Sequence, residues 1–188
     1  MFRDMDIFKQ QRNSTLFLNE VYFWTDTIKD WKNILLNDDF KLIIINSLKE
    51  LVERDKIVIY AYVIMPNHIH LVWEMKATNG KELPHASFNK FTAHQFQKKL
   101  RLDDSAELEH FRVYDLERKY RFWQRDPLAI LIDSREKAIQ KIEYIHNNPL
   151  QEKWNLVKEA EDYQWSSAKF YEYGIDQYGF LTHISDVF

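Results

Sequence analysis

The chain has 188 residues, of which 45% are hydrophobic and 15% aromatic, enough to bury a sizeable core in one domain. Its three glycines form no phosphate-cradling or dinucleotide-binding loop, and the absence of cysteine removes disulfides, thiolate metal sites and cysteine nucleophiles. The net charge of −3 argues against a protein-wide nucleic-acid footprint, yet residues 88–125 carry more Lys and Arg than Asp and Glu, and the segment after Leu150 is acidic.

The opening MFRDMDIFKQQRNS is charged and lacks the apolar stretch of a secretion signal. No later run approaches the roughly 18 apolar residues of a membrane span, so a soluble, cytoplasmic protein is expected. EVYFWTDTI (20–28) is rich in β-branched and aromatic residues and predicts a strand. DDFKLIIINSLKELVERD (38–55) predicts a helix capped by Asp38 or Asp39, with Leu42, Ile45, Leu48 and Val52 at helical spacing. KIVIYAYVI (56–64) and HIHLVWEM (68–75) predict two strands, and the short MPN turn between them makes them an antiparallel hairpin. After a loop, SFNKFTAHQFQKKLRL (87–102) predicts a helix with Ser87 as its cap, and KYRFWQRDPLAILI (119–132) has strand character. SREKAIQKIEYIHNN (134–148) predicts a helix capped by Ser134, with an apolar stripe of Ala138, Ile142 and Ile145 and a stop at Pro149. EDYQWSSAKFYEYG (161–174) predicts a short helix or packed extension. The order β-α-β-β-α-β is that of an α+β, ferredoxin-like domain spanning the whole chain, with helices on one face of an antiparallel sheet and a C-terminal helical extension. The third strand is central in such a sheet.

That strand carries His68 and His70. Side chains two apart on a strand share a face, so the two imidazoles stand together, with Ile69 on the other side. Neutral imidazoles at this spacing can chelate one divalent ion; they can equally be half-buried strand residues hydrogen-bonded to neighbours. Tyr144 and Asn148 are four apart on the last long helix and share a face there. An amide oxygen suits a hard ion such as Mg²⁺ or Mn²⁺, and a cation beside a phenol favours the phenolate and polarises a phosphoryl oxygen. The set is chemically coherent for attack on a phosphodiester, although a tyrosine packed on a sheet and an asparagine ending a helix account for either residue alone.

Taken together, YAYVIMPNHIHLVW, YIHNNP and YQWSSAKFY resemble the REP-associated tyrosine transposases of the HUH superfamily, over most of the chain. The resemblance implies transposition or processing of single-stranded DNA with hairpin structure, using one tyrosine and a divalent metal ion. Carried over position by position, His68 and His70 match the paired metal ligands, Tyr144 the nucleophile that forms a 5′-phosphotyrosine link, and Asn148 the third ligand. Members of the family are monomers or homodimers, and nothing in the sequence selects between them. The ending FLTHISDVF lacks the basic tail of parts of the family, so DNA-end recognition is expected to differ. His146 and Glu143 are expected to point away from the Tyr144 face.

Single-stranded DNA is held by cationic grooves and aromatic stacking. Lys90, Lys98, Lys99 and Arg101 in the fourth element from the hairpin region, and Arg118, Lys119, Arg121, Trp123 and Arg125 after it, are the residues expected to contact DNA. Two other functions compete: a non-catalytic single-stranded nucleic-acid binder of the same fold, and a metal-dependent phosphohydrolase using the histidine pair and water.

Overall fold

The computed structural model describes residues 16–115 and 119–188. The opening segment and Arg118 lie outside the described residues. Eight principal elements follow in chain order: β1 (Val21–Thr27), α1 (Asp38–Glu53), β2 (Ile57–Ile64), β3 (His68–Met75), α2 (Pro84–Leu102), β4 (Leu128–Leu131), α3 (Arg135–His146) and α4 (Ala168–Tyr173). The strands form one antiparallel sheet in the order β2-β3-β1-β4, the arrangement expected from the element order, with β3 and β1 central.

The two faces of β1 separate the layers. Trp24 meets Trp73 of β3 and His85 of α2, while Phe40 of α1 meets Phe96 of α2, so α1 and α2 share one face. Phe23 and Thr25 point the other way, toward α3 and the two histidines. That second face is therefore not bare: α3, an addition to the ferredoxin-like unit, packs on it through Ala138, Ile142 and Ile145, the expected stripe. Burial of such a stripe is non-directional and holds a helix on a sheet without fixing where along the sheet it stops.

Several local expectations are corrected. The cap of α1 is Asn37, whose side chain accepts from the Asp39 N–H, because Asp38 and Asp39 already lie inside the first turn. Leu42 is exposed, and the core face of α1 is Phe40, Ile44, Ile45, Leu48 and Leu51. α2 begins three residues earlier than expected, with Pro84 in its first turn; Ser87 does not cap it but donates to the Pro84 carbonyl. The expected strand over 119–132 shrinks to β4, with Trp123 contributing one isolated bridge to Ile28. Ser134 does cap α3, accepting from Lys137 N–H. Among the described residues no helix is long and apolar enough to cross a membrane.

The outer edge of β2 is covered by the C-terminal segment. Ile64 N–H donates to the Trp165 carbonyl, Ser167 N–H to Tyr62 and Thr182 N–H to Ile59. A covered edge cannot recruit a further strand, and this one ties the WSSA segment to the strand beside β3.

Candidate active site

His68 and His70 are 5% and 4% exposed, with ring centroids 4.7 Å apart. The register puts Thr27 opposite His68 and Thr25 opposite His70. Asn67 fixes the state of His68. Its Nδ2 donates to the Trp31 carbonyl at 3.2 Å, which turns Oδ1 toward His68 Nδ1 at 2.8 Å. An amide oxygen can only accept, so the proton sits on Nδ1 and Nε2 keeps its lone pair. His70 Nδ1 is 2.7 Å from Thr25 Oγ1, and its Nε2 is buried with no hydrogen-bond partner.

Burial, with a contribution from Lys153, lowers His68 to a pKa of about 4, and Asn148 partly opposes the fall. Burial also holds His70 well below the ordinary histidine value, helped by His68, Lys153 and Lys141. Both imidazoles are neutral near pH 7, the form that ligates metal ions.

α3 brings Tyr144 to this pair. Its ring lies 5.2 Å from that of His70, edge to face, and 5.8 Å from Phe23. The tyrosine is 39% exposed, so a large substrate can reach it. Burial raises its pKa, and Asn148 acts in the opposite sense. Asn148 opens the short turn Asn148–Leu150 that follows α3, is 2% exposed, and has an Oδ1 without a hydrogen-bond partner. It acts on the ionisation of both rings, opposing the fall at His68 and the rise at Tyr144.

Two cations flank the site that sequence reasoning did not single out. Lys141 Nζ lies 4.9 Å above the Phe23 ring, which stacks on His70 at 5.3 Å. Lys153 Nζ lies 5.5 Å above Trp154, whose ring is 5.9 Å from His68. Each histidine thus has an aromatic neighbour carrying an ammonium group, an arrangement favoured by the ring quadrupole. Lys141 was open to detection as the residue one turn before Tyr144; Lys153 had no local signal. His146 and Glu143 do point elsewhere: Glu143 is exposed, and His146 Nε2 is 2.9 Å from Ser167 Oγ.

Among the described residues no cluster of three or more His, Cys, Asp or Glu side chains is placed to hold a metal ion. The set at this site is two imidazoles and an amide. His70 Nε2 and Asn148 Oδ1 are both buried without a hydrogen-bond partner, and an amide oxygen and the unprotonated nitrogen of a neutral imidazole are groups a divalent cation satisfies.

The residues expected to contact DNA lie away from this pair, on α2 and the segment 119–125. Lys90, Lys98 and Arg101 are exposed, and their spacing puts them along one stripe of α2. A cleft of about 900 Å³ opens between α2 and that segment, lined by Lys90, His94, Tyr120, Arg121 and Arg125 among others, and a smaller one beside it is lined by Lys98 and Arg101. Lys119 and Arg101 both lie over the Tyr120 ring. Lys90 is paired with Glu82 at 3.0 Å, both exposed, and Arg125 with the half-buried Asp115 at 3.5 Å. Lys99 is held by Asp39 and Asp103. Trp123 is 4% exposed, packed on Phe88 and Phe96, with its indole N–H donated to Thr92, so its ring belongs to the core rather than to a stacking surface.

No protein-family model and no curated protein matches the chain. Its fold is shared with a solved REP-associated tyrosine transposase bound to a REP hairpin: the match covers 93% of each chain, with a TM-score of 0.63 and 16% sequence identity. A candidate transposase from Deinococcus radiodurans R1 covers 73% of this chain and 97% of its own at 15% identity, with a TM-score of 0.42 that is too low to bear on this chain.

Proposed function

We propose that the protein is a metal-dependent transposase or endonuclease that cleaves and rejoins single-stranded, hairpin-containing DNA through a 5′-phosphotyrosine link at Tyr144. The observation that carries this reading is the partly exposed Tyr144 ring 5.2 Å from a buried, neutral histidine pair. The shared fold with a transposase solved on a REP hairpin supports it.

His68, His70 and Asn148 would hold a divalent ion, Mg²⁺ or Mn²⁺, and the two buried polar atoms left without partners, His70 Nε2 and Asn148 Oδ1, support that assignment. Such an ion supplies positive charge that polarises a phosphoryl oxygen and favours the phenolate. The chain's own residues do the rest. Lys141 and Lys153 meet the remaining phosphate charge. Tyr144, open to water, gives its phenol proton to solvent, and its oxygen bonds to phosphorus in line with the departing 3′ oxygen. The P–O3′ bond breaks, and the 3′ oxygen takes up a proton from solvent and leaves as a hydroxyl. The phosphotyrosine conserves the bond energy, so a second 3′-hydroxyl can reverse the step. Positioning and electrostatics provide most of the acceleration in such a transfer. Lys90, Lys98, Arg101, Lys119, Arg121 and Arg125 would hold the DNA backbone.

The test is incubation with single-stranded hairpin DNA from the flanks of the protein's own gene, with Mn²⁺ or Mg²⁺, followed by a denaturing gel. The wild-type protein is expected to give a covalent protein–DNA species, and Tyr144→Phe to bind the DNA but give neither adduct nor cut strand. No cleavage by the wild type favours a binding protein. Hydrolysis that survives in Tyr144→Phe favours the water-using phosphohydrolase.

A further inference from the structure

The WSSA segment and His146 have no part in the chemistry above, yet they meet. Ser167 is 1% exposed. Its hydroxyl accepts from the Tyr62 N–H at 3.0 Å and faces His146 Nε2 at 2.9 Å, while its own N–H donates to the Tyr62 carbonyl at 3.0 Å. The hydroxyl also reaches the Tyr62 carbonyl at 3.3 Å, so its one proton goes to that carbonyl or to His146 Nε2; with either tautomer of His146 the 2.9 Å contact is a hydrogen bond. The far side of the His146 ring rests on Tyr171, at 5.2 Å, and Tyr171 in turn donates its phenol to the Tyr60 carbonyl at 3.1 Å. Burial keeps His146 neutral, with a pKa lowered to about 4.

The placement of this contact gives it meaning. Tyr62 precedes Val63, the residue opposite His70 in the β2–β3 ladder. His146 stands midway between Tyr144 and Asn148 in the chain. A closed circuit therefore runs from His70 across the ladder to β2, through Ser167 to His146, and back along α3 to Tyr144. The rest of the α3 interface is the apolar stripe Ala138, Ile142 and Ile145, which tolerates small slides and rotations. The hydrogen bonds at Ser167 are directional and lie at the end of α3 where the tyrosine is.

We propose that Ser167 and His146 form a positioning clamp that sets the approach of Tyr144, and with it Asn148, to the histidine pair. This rests on the reading of Tyr144 as the nucleophile. The clamp touches neither DNA nor the reacting atoms and acts through the seating of α3.

The test has two readouts on the full chain. The first is the NMR cross-relaxation between the ring protons of Tyr144 and His70, which needs neither metal nor DNA. The second is the single-turnover cleavage rate at saturating hairpin DNA and Mn²⁺, with the DNA affinity measured separately. Ser167→Ala is expected to weaken the ring-to-ring signal and to slow cleavage about ten- to hundredfold, leaving the DNA Kd within about twofold. His146→Phe, which keeps the ring packing on Tyr171 and loses only the bond, is expected to do the same and provides the test if Ser167→Ala does not fold. His146→Gln, whose amide can accept from Ser167 or donate to it, is expected to restore most of both signals. The double variant should be no slower than the slower single one, as for two members of one interaction. Ile45→Val, in the opposite layer, serves as a control for a simple loss of stability and should leave both readouts in place. The proposal is overturned if the ring-to-ring signal persists at full strength in both Ser167→Ala and His146→Phe, whatever the rate does, or if Ile45→Val at a comparable Tm loss slows cleavage equally. A wild-type protein that shows the ring contact and its loss in the variants, but never cleaves DNA, retains the clamp and loses the nucleophile reading.

Discussion

At the scale of single residues, the site is decided by groups that touch the histidines from behind. Asn67 and Thr25 each hold an Nδ1: the Asn67 oxygen puts the His68 proton on Nδ1 and leaves its Nε2 lone pair free, and the Thr25 hydroxyl, which can donate or accept, holds the His70 ring in place. Partners of this kind orient a ligand and raise its basicity, and their loss costs roughly 10–100-fold in metal affinity. Thr25→Val should therefore weaken Mn²⁺ binding by about that factor in calorimetry, with Asn67→Ala in the same range; affinities within twofold of wild type would remove both from the account. The histidine pair itself was legible, because a strand's period of two puts His68 and His70 on one face whatever else the fold does. Tyr144 and Asn148 stood out by their spacing of four on an expected helix, but α3 ends at His146 and Asn148 falls in the turn that follows it. Asn67 read only as a turn residue and Thr25 only as part of a strand. Their roles depend on partners set by tertiary pairing, 45 residues away for Thr25, and local pattern carries no such information.

At the scale of elements, β1 serves both faces of the sheet. Thr25 supports His70 on one side; on the other, Asp26 is 1% exposed, accepts from Asn89 Nδ2 at 2.6 Å and from the Thr27 N–H at 2.9 Å. Burial raises Asp26 from 3.8 to about 7, against the effect of these two hydrogen bonds. Between those pH values the folded state binds more protons than the unfolded one at this residue. Its contribution is thus favourable at low pH and is lost as pH rises through the window from about 4 to 7, then stays level. At roughly 1.4 kcal/mol per pH unit, the loss is roughly 4 kcal/mol. His68 and His146, with folded values of about 4, change in the opposite direction between pH 4 and 6.5, where their unfolded forms take up protons. The Asp26 effect is therefore read as a difference: Asp26→Asn, which retains the bond to Asn89, should gain on wild type between pH 4 and 7 in urea denaturation. Parallel curves would show that the acid is not the source. Element type and order were legible from hydrophobic period and caps such as Ser134. Boundaries were less so where two signals competed: Pro84 in the first turn outweighed Ser87 for the start of α2, and of the longer strand expected over 119–132 only β4 and isolated bridges at Tyr120 and Trp123 formed.

At the scale of the whole molecule, a net charge of −3 coexists with a cationic side. Most of the affinity for DNA should come from that side and be salt-dependent, with each phosphate contact adding about 0.7 to the slope of log K against log salt for a single strand. Lys98→Ala with Arg101→Ala is expected to lower that slope by about 1.4, while the single-turnover cleavage rate at saturating DNA stays unchanged; a slope equal to wild type would take α2 out of the interface. Sheet order followed from element order, because a β-α-β-β-α-β chain with a tight central hairpin leaves few ways to close one antiparallel sheet. The α3 layer over the histidine face and the C-terminal cover on β2 did not follow. They arise from contacts such as His146 with Ser167, 21 residues apart, whose partners are identifiable only once the chain is folded.

The central claim is that Tyr144 bonds to DNA phosphorus. Trypsin should release residues 142–153, IEYIHNNPLQEK, in which Tyr144 is the sole tyrosine. After reaction with hairpin DNA and Mn²⁺ and nuclease trimming, mass spectrometry of this peptide should show a nucleotide joined to Tyr144 through its 5′ phosphate. A cleaved strand with this peptide unmodified, or with the nucleotide on another residue, would contradict the account.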